Sequence, residues 1–149
     1  MLYSIGHSSI DIEKFISILL FFNTEILFDC RGIPYSKYAP QFNIDNLKLF
    51  CKKNTIEYIH LPSLNGIDTN KNSLPTNNIT QDLKLIIEKS KKNIVALMGA
   101  NNRYKDCHRH KLCNWIAKLD NSVNIEHIDL ESKKTAKHII FEEQIDLFS

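Results

Sequence analysis

The residues best suited to chemistry lie in segment 106–110, whose sequence is Asp-Cys-His-Arg-His. It places a thiol, an imidazole and a guanidinium at three consecutive positions, Cys107, His108 and Arg109. Asp106 is a good helix N-cap, so these residues are predicted to form the first turn of a helix that follows a buried strand. A helix start attracts anions and favours the thiolate form of a cysteine. Cys107 is therefore a candidate nucleophile, and His108 and Arg109 are candidate substrate contacts.

The predicted orientation of this helix leaves the role of Cys107 open. A first-turn residue can face either way, so Cys107 is either an accessible thiolate or a buried, inert thiol. The helical period places His108 above the sheet, with Arg109 at its flank and His110 turned to solvent. The apolar face that defines this orientation consists of Leu112, Trp115, Ile116 and Leu119.

Short apolar runs and helical patterns alternate along the rest of the chain. The predicted strands span residues 2–6, 26–30, 57–61, 93–98 and 123–128. The predicted helices span residues 11–22, 44–53, 79–90 and 107–119, and a polar loop spans residues 62–78. This alternation predicts one α/β domain at residues 1–143, with a mostly parallel sheet of about five strands and helices on both faces. A length of 149 residues suits a single domain.

Polar side chains follow four of the predicted strands, at the sheet edge where α/β folds bind ligands. In chain order they are His7, Ser8, Asp29, Arg31, His60 and Asn101. Because the four strand ends share one edge, the sequence predicts a common cleft. His7 and His60 are candidate catalytic acids or bases, and Ser8 and Asn101 are candidate substrate contacts.

Asp29 and Arg31 allow two interpretations. Either both belong to a substrate site in which Arg31 binds a phosphate or carboxylate, or they form a structural ion pair. The loop that follows interleaves Tyr35 and other aromatic residues with Lys37, as a groove for nucleobases would. A loop packed on the sheet explains the same aromatic residues.

Composition narrows the class of protein. The formal charge of +2 is too small to indicate nucleic-acid binding, and the longest apolar run is far shorter than a membrane span of roughly 20 residues. Four cysteines without a paired spacing, and no recognisable export signal, predict reduced thiols in the cytoplasm and argue against a zinc ribbon. The predicted core or flanking cysteines are Cys30, Cys51 and Cys113.

No metal or cofactor is predicted. A metal site that combines Cys107 with His7, His60 or His108 is chemically possible, but no ligand spacing demands it. His127 and His138 belong to no motif.

Five ordered segments carry a family resemblance: Ser4-Ile-Gly-His7-Ser8, Asp29-Cys-Arg31, Pro40-Gln-Phe42-Asn, His60-Leu-Pro-Ser-Leu64-Asn-Gly66 and Cys107-His108-Arg109. Together they resemble the DUF488 family of proteins of uncharacterised function. The resemblance implies an α/β domain whose motif residues form one pocket, and it implies no established activity. Members often carry Cys-x-Glu eight residues before Cys-His-Arg, where this chain has Gly99 and Asn101. A two-cysteine redox or metal role is therefore poorly supported.

The last residues suggest a protein partner. Gln144-Ile-Asp-Leu-Phe148 is similar to the peptide by which bacterial replication and repair proteins dock on the DNA sliding clamp. In that interpretation Leu147 and Phe148 fill an apolar pocket and Gln144 hydrogen-bonds at its edge. The alternative is a last helical turn that covers the core.

The leading hypothesis is an intracellular enzyme that acts on a phosphate-bearing substrate, a nucleotide or nucleic acid, in DNA repair or modification. The first alternative is a non-catalytic nucleotide- or DNA-binding accessory protein recruited to the sliding clamp by residues 144–149. The second alternative is a metal-binding protein.

Overall fold

The computed structural model describes residues 1–66, 77–103 and 108–139. These residues form a six-stranded sheet and four α-helices, which confirms the predicted α/β fold. In chain order the elements are β1 (Leu2–Gly6), α1 (Ile12–Phe21), β2 (Ile26–Asp29), α2 (Ile44–Lys53), β3 (Glu57–His60), α3 (Asn77–Lys92), β4 (Val95–Gly99), α4 (His108–Leu119), β5 (Ile125–Ile128) and β6 (Thr135–Lys137).

The strand order of the sheet is β3-β2-β4-β1-β5-β6. The first five strands are parallel, and β6 pairs antiparallel with β5 at one edge. β2 and β4 are fully buried and, apart from Asp29 at the end of β2, apolar, as expected for central strands of a parallel sheet that is covered on both faces.

The two helices that cover each face bury separate apolar clusters. Leu27 and Met98 point to the face that carries α1 and α2, where they pack with Phe15, Leu19 and Leu47. Phe28 and Leu97 point to the opposite face, where they pack with residues of α3 and α4 such as Leu83, Ile86, Leu112 and Ile116. The alternation of side chains along each strand thus divides one sheet between two cores.

The connections create a crevice at the carboxyl ends of the central strands. The chain leaves β1 and β2 toward α1 and α2 on one face, whereas it leaves β4 toward α4 on the other face. Since β4 lies between β1 and β2, the loops that follow these three strands diverge. Such a divergence is the topological switch point at which open α/β sheets bind ligands.

The structure corrects several predicted elements. The sheet has six strands rather than the predicted five, and the additional one is the short β6. The predicted loop at 62–78 contains a 3₁₀ helix at Pro62–Gly66, and α3 already begins at Asn77. A second 3₁₀ helix spans Pro40–Phe42 in the loop after β2.

In the described ranges, no helix combines the length and the apolar character that a membrane span requires.

Candidate functional site

A cavity of about 500 Å³ lies at the carboxyl ends of β1, β2 and β4, within the crevice of the switch point. The segments that follow β1, β2, β3 and β4 supply its lining, together with the start of α4. The lining residues are His7, Arg31, Gly32, Ile33, Tyr35, Ser36, Asn65, Ala100, Asn101 and His108. The predicted common cleft is therefore present, and five of its predicted residues line it: His7, Arg31, Tyr35, Asn101 and His108.

A buried ion pair between Asp29 and Arg31 lies next to this cavity. Asp29, at the end of β2, is fully buried, and Arg31 is 7% exposed. The Nε of Arg31 donates to Oδ1 of Asp29 at 2.9 Å, and Nη2 donates to Oδ2 at 2.8 Å. The backbone N–H of Arg31 also donates to Oδ1 at 3.0 Å. This two-pronged geometry fixes the plane of the guanidinium and shows that the structural ion pair is real.

Tyr58 completes the environment of the carboxylate. Its hydroxyl donates to Oδ2 of Asp29 at 2.5 Å from β3, the neighbouring strand. Burial and the bond to the Asp29 carboxylate raise the pKa of Tyr58 above its usual value, so the hydroxyl remains a donor at neutral pH. Asp29 thus accepts hydrogen bonds from Tyr58 and Arg31, and it has no contact with solvent.

His7 is buried against Phe42 and presents one ring nitrogen to Arg31. The rings of His7 and Phe42 stack with their centroids 4.4 Å apart. The Nδ1–H of His7 donates to the carbonyl of Ser8 at 2.6 Å, and this bond assigns the lone pair to Nε2. Nη1 of Arg31 lies 3.5 Å from that Nε2.

The protonation state of His7 follows from this environment. Burial lowers the pKa of His7 to about 4, and the positive charges of Arg31 and Arg109 act in the same direction. The bond to the Ser8 carbonyl and the charge of Asp29 oppose the shift without reversing it. At pH 7 the ring is therefore neutral and can accept a proton at Nε2.

Two residues hold the loop after β4 against the end of β1. Arg109 is 0% exposed, and its Nη1 donates to Oγ of Ser4, while its Nη2 donates to the carbonyl of Asn101, both at 2.5 Å. Gly6 allows this approach, because a Cβ at that position would lie 1.9 Å from the Asn101 carbonyl oxygen. Arg109 thus positions Asn101, which lines the cavity, and does not line the cavity itself.

His60, His108 and Ser8 shape the backbone around the cavity. The Nε2–H of His60 donates to the carbonyl of Arg31 at 2.6 Å, and that of His108 donates to the carbonyl of Cys30 at 3.2 Å. Ser8 is exposed and has a φ of 50°, a left-handed conformation that is uncommon outside glycine. Its N–H donates to the carbonyl of Ala100 at 2.8 Å, so this turn ties the β1 loop to the β4 loop.

The predicted orientation of α4 was wrong by about one position. Arg109 is the buried residue of the first turn, whereas His108 is half-buried at the cavity. His110 was predicted to be solvated, but it is half-buried and its ring lies 5.4 Å from that of His138. The buried residues that fix this orientation are Leu112, Cys113 and Ile116. Trp115 packs partly buried against the same cluster, as predicted, whereas Leu119 is exposed.

The structure also locates the other cysteines and the aromatic residues that follow β2. Cys30, Cys51 and Cys113 are buried, as predicted for core residues. Phe42 is a core residue, while Tyr35 and Tyr38 are exposed. The remaining predicted residues lie outside the described part of the chain: Asp106, Cys107, Gln144, Leu147 and Phe148.

Sequence reasoning missed Ser36 and Asn65 in the lining, as well as Ser4 and Tyr58 behind it. Asn65 occurs in the segment at 60–66 that carries the family resemblance, so that segment offered a signal for it. Tyr58 offered a weaker signal, since it lies two residues before His60 on the same strand and therefore points to the same face.

A second cavity, of about 670 Å³, lies at the opposite end of the sheet. Residues at the beginnings of β2 and β3 line it, together with lysines of α2 and α3. The charged members of its lining are Glu25, Lys48, Lys52, Glu57 and Lys89. Its place at the amino ends of the strands lacks the diverging loops of the switch point, so the smaller cavity is the better candidate site.

The family model for DUF488, a domain of unknown function, matches residues 11–82. This stretch includes Asp29, Arg31, Tyr35 and His60, and it excludes His7 and the segment at 106–110. The match supports the family resemblance for just under half of the chain. No curated protein matches this chain.

Proposed function

We propose that the chain is a DUF488-type enzyme that acts on a phosphate-bearing substrate, a nucleotide or the end of a nucleic acid, in the cavity beside Arg31. One observation carries this proposal: a neutral His7, the Nη1 of Arg31 and the ring of Tyr35 converge on one cavity at the switch point of the sheet. A proton acceptor, a cationic donor and an aromatic surface are the elements that such a substrate requires.

Arg31 provides the phosphate contact. Its Nε and Nη2 bind Asp29, whereas its Nη1 lies 3.5 Å from Nε2 of His7, and both residues line the cavity. The charge of Asp29 cancels that of Arg31 at long range, and the buried Arg109 adds a further positive charge behind the β4 loop. The positive potential that helps to keep His7 neutral is therefore also a potential that attracts an anion.

Tyr35 provides the surface for a base. It is 57% exposed at the edge of the cavity, so its ring has a free face for stacking. Stacking of a base on an aromatic side chain contributes about 1–3 kcal/mol and tolerates different bases.

His7 acts as the general base in this proposal, and Cys107 as the nucleophile. As the nucleophile, the Cys107 thiol or a water molecule, attacks the phosphorus, its proton passes to the Nε2 lone pair of His7. The bond from phosphorus to the leaving oxygen breaks, and the imidazolium returns the proton to that oxygen. Binding of a phosphate dianion next to Nε2 raises the pKa of His7, which makes the imidazole a stronger base when substrate is present. His60 acts through its bond to the Arg31 carbonyl and holds the phosphate contact in place.

Calorimetric titration of the full chain with a deoxynucleoside 5′-monophosphate and with the matching nucleoside tests the binding step. We expect the monophosphate to bind and the nucleoside to bind at least tenfold more weakly. We expect Tyr35→Ala to weaken binding of the monophosphate about tenfold, because about 1.4 kcal/mol of stacking free energy is lost. Tyr38→Ala is the matched control, since Tyr38 is 95% exposed and does not line the cavity. Equal affinities for nucleotide and nucleoside would contradict the proposal.

The catalytic step is tested by incubating nucleotides and 5′-phosphorylated oligonucleotides with the full chain and weighing the products by mass spectrometry. We expect conversion by the wild type and its loss in His7→Gln, which replaces the imidazole by an amide of similar size that cannot take up a proton. Cys107→Ser should also abolish conversion. Turnover at the wild-type rate in both variants, or no conversion by the wild type, would show that the site does not catalyse.

The C-terminal peptide supports a second candidate function, recruitment of a non-catalytic accessory protein to the DNA sliding clamp. The support is the sequence Gln144-Ile-Asp-Leu-Phe148 alone. Deletion of residues 144–149 should abolish clamp binding by the full chain and leave nucleotide binding unchanged. An affinity for the clamp that survives the deletion, or no affinity in the full chain, would remove this function.

A further inference from the structure

A cluster of metal-binding side chains lies away from the cavity, where α4 packs on the β5–β6 edge of the sheet. Cys113 belongs to α4, His127 to β5, and His138 follows β6. One ligand atom from each of these residues lies within 4.8 Å of the other two. We propose that Cys113, His127 and His138 bind a zinc ion that joins α4 to this edge of the sheet.

The distances within the cluster are close to those of a zinc site. Zinc binds a thiolate at about 2.3 Å and an imidazole nitrogen at about 2.0–2.1 Å in tetrahedral geometry, which places neighbouring ligand atoms roughly 3.3–3.6 Å apart. Nε2 of His127 and Nδ1 of His138 are 2.8 Å apart and share a hydrogen bond. Opening this pair by about half an ångström gives the tetrahedral spacing of the two nitrogens, and the thiol sulfur lies within 4.8 Å of both.

Asn114 prepares His138 for this role. The Nε2–H of His138 donates to Oδ1 of Asn114 at 2.8 Å. This bond places the lone pair of His138 on Nδ1, which faces His127. Metal-binding histidines commonly donate their second ring nitrogen in this way to a carboxylate or carbonyl oxygen, which fixes the tautomer and the ring orientation.

Both histidines are neutral at neutral pH, but the hydrogen bond between them places the proton of His127 on Nε2, so this proton has to move to Nδ1 when Nε2 binds zinc. Burial lowers the pKa of His127 to about 3, and the neighbouring His138 and Arg109 act in the same direction. Burial also lowers the pKa of His138 to about 4, with a smaller effect of His110. Only the thiol of Cys113 has to lose its proton to the solvent when zinc binds.

The charges around the cluster affect how strongly it binds a metal, and its ligand types determine which metal it prefers. A zinc ion with one thiolate ligand has a net charge of +1, which the positive charge of Arg109 near His127 opposes. A mixed ligand set of one sulfur and two imidazoles still favours zinc over magnesium or calcium, which prefer oxygen ligands. His110, whose ring lies 5.4 Å from that of His138, or a water molecule supplies the fourth ligand.

This site is independent of the proposed enzymatic function. It contains none of the residues that line the cavity, and it joins α4 to the two strands at one edge of the sheet. β6 is only three residues long, so a metal bridge would stabilise its pairing with β5.

The test uses the full chain without an affinity tag, treated with a chelator and then titrated with zinc against a chromophoric competitor. We expect one zinc ion per molecule, and cobalt in place of zinc should give the visible bands of a tetrahedral site together with a thiolate-to-cobalt band. Cys113→Ser should remove the thiolate band and weaken zinc binding at least 100-fold. Asn114→Ala should weaken zinc about tenfold through loss of its bond to His138.

Three further variants make the result decisive. Cys51→Ser is the matched control, because Cys51 is also a buried thiol but lies in the core on the opposite face of the sheet, and it should bind zinc as the wild type does. If Cys113→Ser does not fold, His138→Gln tests the same site from the half-buried edge and should also weaken zinc. His110→Ala weakens zinc if His110 is the fourth ligand and leaves it unchanged if water is. Absence of stoichiometric zinc binding, or wild-type affinity in Cys113→Ser or His138→Gln, would overturn the proposal.

Discussion

At the scale of single residues, the buried Asp29 is the group on which the candidate site depends most. It binds the side chain and the backbone N–H of Arg31, and it accepts the hydroxyl of Tyr58. A buried ion pair adds little net stability over apolar residues of the same size, but removal of one partner leaves an uncompensated charge. The pair therefore serves mainly to fix the guanidinium of Arg31 beside the cavity.

We predict that Asp29→Asn lowers the free energy of unfolding by about 3–5 kcal/mol, because it leaves the Arg31 guanidinium buried without its counter-charge. Urea denaturation followed by circular dichroism measures this change. Glu131→Gln removes one negative charge from an exposed position and should change the free energy by less than about 0.5 kcal/mol. A loss of less than 1 kcal/mol in Asp29→Asn would show that the pair is not needed to keep Arg31 buried.

At the scale of elements, the contact between the end of β1 and the loop after β4 builds the wall of the cavity. Gly6 makes space for the Asn101 carbonyl, and Arg109 binds that same carbonyl from α4. The left-handed Ser8 adds a backbone bond to Ala100. The contacts of Gly6 and Ser8 join residues more than ninety positions apart in the chain, whereas Arg109 lies eight residues after Asn101.

We predict that Gly6→Ala lowers the free energy of unfolding by about 3 kcal/mol, because the new Cβ would overlap backbone atoms of Asn101 that cannot move alone. Gly32→Ala is the control, since its Cβ would meet only side-chain atoms of Asn65, the nearest being the amide nitrogen at 2.7 Å, and the change should cost less than about 1 kcal/mol. Urea denaturation compares the two variants. Equal losses of stability would mean that the loop after β4 is not fixed by this contact.

The sequence predicts the elements with strong apolar periods and misses those without them. β2 and β4 are buried apolar runs, so their positions and the parallel sheet follow from the pattern. β6 escapes prediction because Thr135–Lys137 is a short, largely exposed edge strand without an apolar face. The orientation of α4 was misjudged because a buried arginine occupies a position at which apolar periodicity expects a polar, exposed residue.

The same contrast holds for the two sites. The cavity was predictable from polar residues at strand ends, since parallel strands deliver their carboxyl ends to one edge. Asn65 and Ser36 reach it from loops whose course no local pattern specifies. The cluster of Cys113, His127 and His138 was not predictable, because the pairing of β6 with β5 brings its members together and their spacing matches no metal motif.

At the scale of the whole molecule, Arg109 links the two sites electrostatically. It is the largest fully buried side chain among the described residues, and its charge lowers the pKa of both His7 and His127. His7, His127 and His138 all have lowered pKa values. These three histidines are therefore neutral in the folded protein at pH values where they are protonated in the unfolded chain.

We predict that the metal-free protein loses stability as the pH falls from about 6.5 toward 4. The pKa values of His7 and His138 are lowered to about 4 and that of His127 to about 3, so near pH 5 the unfolded chain binds about three more protons than the folded protein. Because the unfolded state binds more protons, stability is fully present above the unfolded pKa and decreases through this window. Urea midpoints measured at several pH values in the presence of a chelator test this sign. Stability that is constant or rises between pH 6.5 and 5 would contradict it.

The most direct test of a phosphate-binding cavity is an NMR titration of the His7 imidazole in the full chain, with and without a saturating deoxynucleoside 5′-monophosphate. We expect a pKa of about 4 in the free protein and a higher pKa in the complex, because the phosphate dianion stabilises the imidazolium next to Arg31. Tyr38→Ala should reproduce both values. A His7 pKa near 6.5 in the free protein, or the same pKa with and without bound nucleotide, would contradict the proposed site.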